Sequence, residues 1–139
     1  MVSLVGNYQH EKNENLDEYF KAIGVPYIAR KMMGVTSPRL EIQKSDDDHW
    51  TIRTITMLRT IELVFRIGEE FEESMPGGIT LKNVASLEED ESIVINCKGP
   101  NDVKVVRKYE LKDDQIILTM THEKSGQVAK RYFKKISQD

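Results

Sequence analysis

From Thr36 onward, short runs of alternating or continuous apolar residues are separated by polar turns, whereas residues 16–33 repeat their apolar positions at helical spacing. Alternation of period two predicts strands at Leu4–His10, Arg39–Gln43, Trp50–Thr56, Glu62–Ile67, Thr80–Leu87, Ser92–Lys98, Val103–Leu111, Ile116–Thr121 and Val128–Lys135. A further strand around Phe71 brings the total to nine or ten. Turn signals such as Pro76-Gly77-Gly78, Gly99-Pro100-Asn101 and Lys112-Asp113-Asp114 separate the runs. Such short connections imply antiparallel meander pairing.

Leu16, Tyr19, Phe20 and Ile23 predict one helix, with Asn13 or Asn15 at its start and Gly24 at its end. Pro26 opens a second, running to about Met33 and finished at Gly34. The pair lacks the basic recognition surface that a DNA-reading helix-turn-helix needs. Closure removes the open edges of so many strands, so a barrel is the expected architecture, with the helices as its lid. About ten strands enclose more space than side chains fill, which implies an internal ligand cavity. Leu16, Phe20, Ile23, Ile28 and Met32 are the candidate apolar inner surface of the lid.

The polar residues within these strands sharpen the picture. Arg131 and Phe133 lie two apart in Val128–Lys135 and share one face; Arg107 and Tyr109 repeat the spacing in Val103–Leu111. If those faces turn inward, the strands together form an anion clamp in an apolar cavity, since a buried guanidinium wants an anion. Thr54, Thr56, Arg53 and Arg107 are the polar groups that internal water would satisfy.

Composition narrows the function classes. The 139 residues suit one domain spanning 1–139, with 20 basic and 23 acidic side chains interspersed to a net charge of -3. That balance argues against a general nucleic-acid partner. Lys130, Arg131, Lys134 and Lys135 allow a small basic patch and transient contact with anionic membranes. The lone Cys97 excludes an internal disulfide, and the start of the chain reads as neither leader nor span, so a cytoplasmic protein is expected. His10, His49 and His122 are widely separated and are assigned surface or structural roles. No catalytic, metal or cofactor site is expected, and the competing readings are a lipid-modifying enzyme or a protein-interaction module.

Several segments together resemble the intracellular lipid-binding protein family, which includes cellular fatty acid-binding and retinoid-binding proteins. They are Gly6-Asn7-Tyr8, the run Glu14 to Val25, Ala29-Arg30-Lys31, Thr51-Ile52-Arg53-Thr54, Phe65 to Glu73, Leu118 to His122 and Arg131-Tyr132-Phe133. Their order covers essentially the whole chain. The resemblance implies an all-β fold: a ten-stranded antiparallel up-and-down β-barrel capped by a two-helix lid, with one noncovalently bound lipid in an internal cavity. It implies that Arg131 takes the place of the family's terminal carboxylate-binding arginine and that Phe133 stands where many members have tyrosine. For the second arginine, Arg107 matches by local context, while counting without gaps selects Tyr109.

The resemblance also places the ligand portal at Val25, Ile28 and Met32, at Leu58 and Arg59 in one turn, and at Met75 to Gly78, including Gly77, in another. Leu16, Tyr19, Phe20 and Phe133 complete the expected cavity and portal set. The implied ligand is a long-chain fatty acid, with retinoic acid or another carboxylated lipid as the alternative. A monomer with access to the nucleus is expected. Burial of each methylene is worth about 0.8 kcal/mol, so an acyl chain supplies the main attraction and the arginines its orientation.

Overall fold

The structure, a computed structural model, describes residues 4–46, 49–57, 59–75, 78–100 and 102–136. β1 (Gly6–Glu14) is followed by α1 (Leu16–Ala22) and α2 (Tyr27–Val35). The remaining strands are β2 (Arg39–Lys44), β3 (His49–Ile55), β4 (Thr60–Arg66), β5 (Glu70–Met75), β6 (Ile79–Leu87), β7 (Ile93–Lys98), β8 (Lys104–Lys112), β9 (Gln115–His122) and β10 (Val128–Lys135). All ten form one antiparallel sheet in the order β4-β3-β2-β1-β10-β9-β8-β7-β6-β5. The chain folds as a nearly closed, ten-stranded barrel with two helices across one end.

Closure is incomplete between β4 and β5, which lie at the two ends of the hydrogen-bonded order. Side chains bridge this opening: Phe65 and Phe71 stack with ring centroids 5.0 Å apart and planes 12° from parallel. Gly68, at φ +87, makes the connecting turn, and its N–H donates to the Ala85 carbonyl at 2.9 Å. The turn is thereby pinned to β6.

Alternation places Leu40, Ile42, Ile52, Leu63, Phe65, Leu81, Ala85, Ile93, Ile95, Ile116 and Leu118 inside. Arg53, read from sequence as a group that internal water would satisfy, lies on the outer face instead. There its Nε donates to Glu62 at 2.5 Å, and its Nη1 lies 3.7 Å from Glu41. Its neighbour Thr54 takes the inner position, as pleating requires.

The lid differs from expectation in phase. Helix α1 buries Leu16, Tyr19 and Phe20 and packs on β9 and β10. Asn15 is its N-cap at φ 55, but its amide donates to Gln127 and to the Val128 carbonyl rather than capping the helix. Gly24, at φ +95, ends this segment; in α2, Gly34 lies within the helix, which continues to Val35. Arg30 joins the helices, donating to Asp17 at 3.1 Å and to the Val25 carbonyl at 2.9 Å.

Helix α2 has no buried residue. Ala29 and Met33 pack partly against the core, whereas Ile28 is 72% exposed. Ile28 is therefore not part of the lid's inner surface. The inward stripe lies one position further along, at Ala29 and Met33.

Candidate functional site

A cavity with an open mouth lies in the barrel beneath the lid. Its lining includes Tyr19, Phe20 and Ile23 from the α1 segment, Leu63, Leu81, Leu118 and Met120 from the wall, and the polar residues Glu73, Arg107, Tyr109 and Arg131. Sequence reasoning had named Arg107, Tyr109 and Arg131; all three turn inward. Glu73 was missed, because Glu70-Phe71-Glu72-Glu73 reads as a solvated acidic strand.

Register separates the two candidates for the second polar position. Arg131 on β10 pairs with Leu118 on β9, and Leu118 pairs with Tyr109 on β8. Arg107 pairs with Met120, which pairs with Ala129. Tyr109 thus shares a rung with Arg131, while Arg107 stands one inward position further along β8.

The two arginines also differ in charge balance. Arg107 Nη1 donates to Glu73 Oε2 at 3.1 Å, and its Nη2 contacts Glu73 Oε1. Burial opposes the Arg107 charge, but Glu73 outweighs it and holds the guanidinium well above its ordinary pKa. Arg131 has no carboxylate partner among the described residues: its Nε donates to Asn13 Oδ1 at 3.0 Å, and its Nη2 is buried without a partner. Burial pulls its pKa down to about 10. A buried cation without a counter-ion is energetically costly.

The surroundings of Arg131 depend on a bulge that alternation alone does not reveal. The pairing of β1 with β10 slips between His10 and Lys12, leaving Glu11 extra. Tyr8 and His10 therefore face inward before the bulge, and Asn13 does so after it. Asn13 Oδ1 accepts from His10 Nε2 at 2.7 Å as well as from Arg131. His10, expected at the surface or in a structural role, packs edge-on against Phe133 with centroids 5.6 Å apart.

Phe133 is buried, with the Arg131 guanidinium 5.8 Å from its ring centre, and contributes packing beside the cavity lining. Tyr132 faces outward, donating to Glu14 at 2.8 Å beneath the Lys12 ammonium. Burial lowers the His10 pKa below its ordinary 6.5; the Asn13 contact offsets part of this, and the Arg131 charge adds to the lowering. As pH falls below 6.5, the unfolded chain therefore takes up this proton before the native state does, and native stability declines. Urea unfolding between about pH 5 and 7 should show a flatter decline in His10→Gln than in the wild type.

A second opening beneath α2 is lined by Met32, Met33, Thr36, Thr56, Arg59 and neighbouring residues. It shares Met33, Thr54, Ile61 and Arg131 with the inner cavity, so Arg131 faces both. Met32 and Arg59, both expected at the portal, line this opening, whereas Ile28 does not. Val25 is buried in the core, and Leu16 is buried against the second helix rather than along the cavity. Leu58 and Gly77 lie outside the described residues, as does the side chain of Met75.

Residues 5–136 match the lipocalin / cytosolic fatty-acid binding protein family. The chain belongs to this family. Among curated members, a fatty acid-binding protein of Tyrophagus putrescentiae is 33% identical over 135 residues, covering 97% of this chain and 99% of the relative. Cellular retinoic acid-binding protein 2 of Rattus norvegicus is 34% identical over 126 residues, covering 87% and 91%. The solved REP1-NXSQ fatty acid transporter superposes with a TM-score of 0.88 at 29% identity, covering 98% of both chains.

The family's activity is noncovalent lipid binding and transport, and this family member has the matching barrel and internal cavity. Among the described residues no grouping of three His, Cys, Asp or Glu side chains is fit to hold a metal.

Proposed function

We propose that the protein binds and carries long-chain fatty acids, with the carboxylate on Arg131 and the acyl chain in the apolar interior. The observation that carries this reading is the contrast between the arginines: Glu73 already neutralises Arg107, whereas the buried Arg131 charge has no acidic partner among the described residues. The cavity wall thus offers a monoanionic ligand one uncompensated cation. Tyr109, on the same rung, supplies a phenol whose pKa burial raises to about 12, so it remains a proton donor.

Names of relatives support both a fatty acid and a retinoic acid as ligand. The opening beneath α2, lined by Met32, Met33 and Arg131, suits entry of a flexible acyl chain. Exposed Tyr27, Ile28, Met32 and Val35 on α2, beside Arg30 and Lys31, support transient contact with anionic membranes during loading. The proposal includes a monomeric, cytoplasmic carrier with access to the nucleus.

Calorimetric titration of delipidated protein with oleic acid, methyl oleate and all-trans-retinoic acid tests the assignment. Oleic acid is expected to bind in a one-to-one complex, and its methyl ester at least about tenfold more weakly. Equal affinity for acid and ester would refute the carboxylate site; stronger binding of retinoic acid would replace the acyl reading with the retinoid one.

A further inference from the structure

The bulge in β1 selects which side chain meets Arg131. With unbroken alternation, Lys12 and Glu14 would continue the inward face of Tyr8 and His10. The register slip between His10 and Lys12 turns both outward, where Lys12 lies over the Tyr132 ring and Glu14 accepts from the Tyr132 hydroxyl. Asn13 takes the inward place, directly opposite Arg131. A carboxylate is thereby kept out of the interior at this point, and a neutral amide is put in.

Two contacts fix how that amide is turned. Arg131 Nε can only donate, so the atom 3.0 Å from it is the amide oxygen, and His10 Nε2 meets the same oxygen at 2.7 Å. Arg131 is held through Nε while its charge stays whole. The same barrel shows the alternative at Arg107, where Glu73 meets both terminal nitrogens and supplies the opposite charge. Asparagine and aspartate have nearly the same shape, so what the residue type decides at position 13 is charge.

We infer that Asn13 sets the head-group specificity of the cavity: as a neutral acceptor it orients Arg131 without neutralising it, and so selects lipids with an anionic head over neutral esters and alcohols of the same chain. The inference rests on the fatty-acid reading above and adds the residue, on a different strand, that makes Arg131 selective. Arg131 lines the cavity and the opening beneath α2, whereas Asn13 lines neither. Asn13 is therefore a positioning residue that acts through Arg131. An acidic side chain in its place would pair with Arg131 as Glu73 pairs with Arg107, and an incoming carboxylate would meet a negative charge already there. A neutral head group would meet no such repulsion.

Calorimetric titration of delipidated wild type and Asn13→Asp with oleic acid, methyl oleate and oleyl alcohol tests this, at about pH 8.5 so that His10 is neutral. In the wild type, the acid is expected to bind at least about tenfold more tightly than either neutral lipid. In Asn13→Asp, acid affinity should fall at least about tenfold while the neutral lipids change by less than about threefold. The urea midpoint of the unliganded variant should rise, because Arg131 gains a counter-ion. An acid preference in Asn13→Asp as large as that of the wild type overturns the inference and leaves the carrier reading intact. Equal losses for all three lipids with a lowered urea midpoint also overturn it, and assign Asn13 a packing role. If the wild type binds acid and ester alike, or neither, the carboxylate reading fails and the inference with it. Asn13→Glu brings the same charge on one more methylene, and its acid-to-ester ratio decides should Asn13→Asp not fold.

Discussion

Arg131→Met is expected to lower fatty-acid affinity by about a hundredfold, equivalent to about 2.7 kcal/mol, while leaving the unliganded barrel as stable as the wild type or more so. Both halves of this expectation follow from one arrangement. The guanidinium is buried, has Asn13 as its hydrogen-bonding partner and faces no carboxylate among the described residues. In the unliganded state its charge is a cost, visible as a pKa drawn down to about 10 by burial. Methionine fills similar volume without that charge, and such replacements are neutral or stabilising by roughly 1–2 kcal/mol.

Because the folded-state pKa lies below that of the unfolded chain, native arginine resists protonation. Its destabilising effect is present throughout neutral pH and is relieved only as pH rises through about 10. On the proposed function, a bound fatty acid would supply the counter-ion and turn that cost into affinity. Calorimetric titration and urea unfolding of matched delipidated samples measure the two halves separately. Unchanged acid affinity would remove Arg131 from the site; a large loss of unliganded stability would assign it a structural role instead.

The second large effect is expected at the buried pair of Glu73 and Arg107. Arg107→Leu leaves Glu73 in the cavity wall with only Asn83 as donor, and Glu73→Leu leaves Arg107 without its anion. Each single replacement should cost about 3–5 kcal/mol, the usual penalty for stranding a buried charge. The double replacement, with both charges gone, should return to within about 2 kcal/mol of the wild type. Urea unfolding of the four proteins completes the cycle. Additive losses would mean that the pair contributes no coupling. Acid binding should follow charge: weakened in Arg107→Leu, where Glu73 repels the ligand, and strengthened in Glu73→Leu, where a second cation is freed.

These predictions also mark where sequence reading stops. Inward placement of Arg107, Tyr109, Arg131 and Phe133 was legible, because strand periodicity is local and each strand is long enough to display it. The partner of each arginine was not. Glu73 lies on β5 and Arg107 on β8, and no local pattern relates them. His10 and Asn13 share the inner face only because the bulge at Glu11 reverses parity, which simple alternation cannot register. Ile28 shows the same limit in a helix. Its apolar spacing was correct, but the direction that the stripe faces depends on how α2 meets the rim.

Local chemistry along the chain was sufficient for the class of fold, the two-helix insertion and the presence of arginines facing an apolar interior. Those follow from steric periodicity and from the cost of open strand edges, which act over a few residues or on the strand count alone. Tertiary pairing decided which arginine remains charged and unmatched. Electrostatic balance in a low-dielectric interior depends on distances of a few ångströms between segments far apart in sequence. By bringing Glu73 to Arg107 and only an amide to Arg131, the barrel converts two similar Arg-x-aromatic motifs into one internal ion pair and one buried guanidinium without a carboxylate among the described residues.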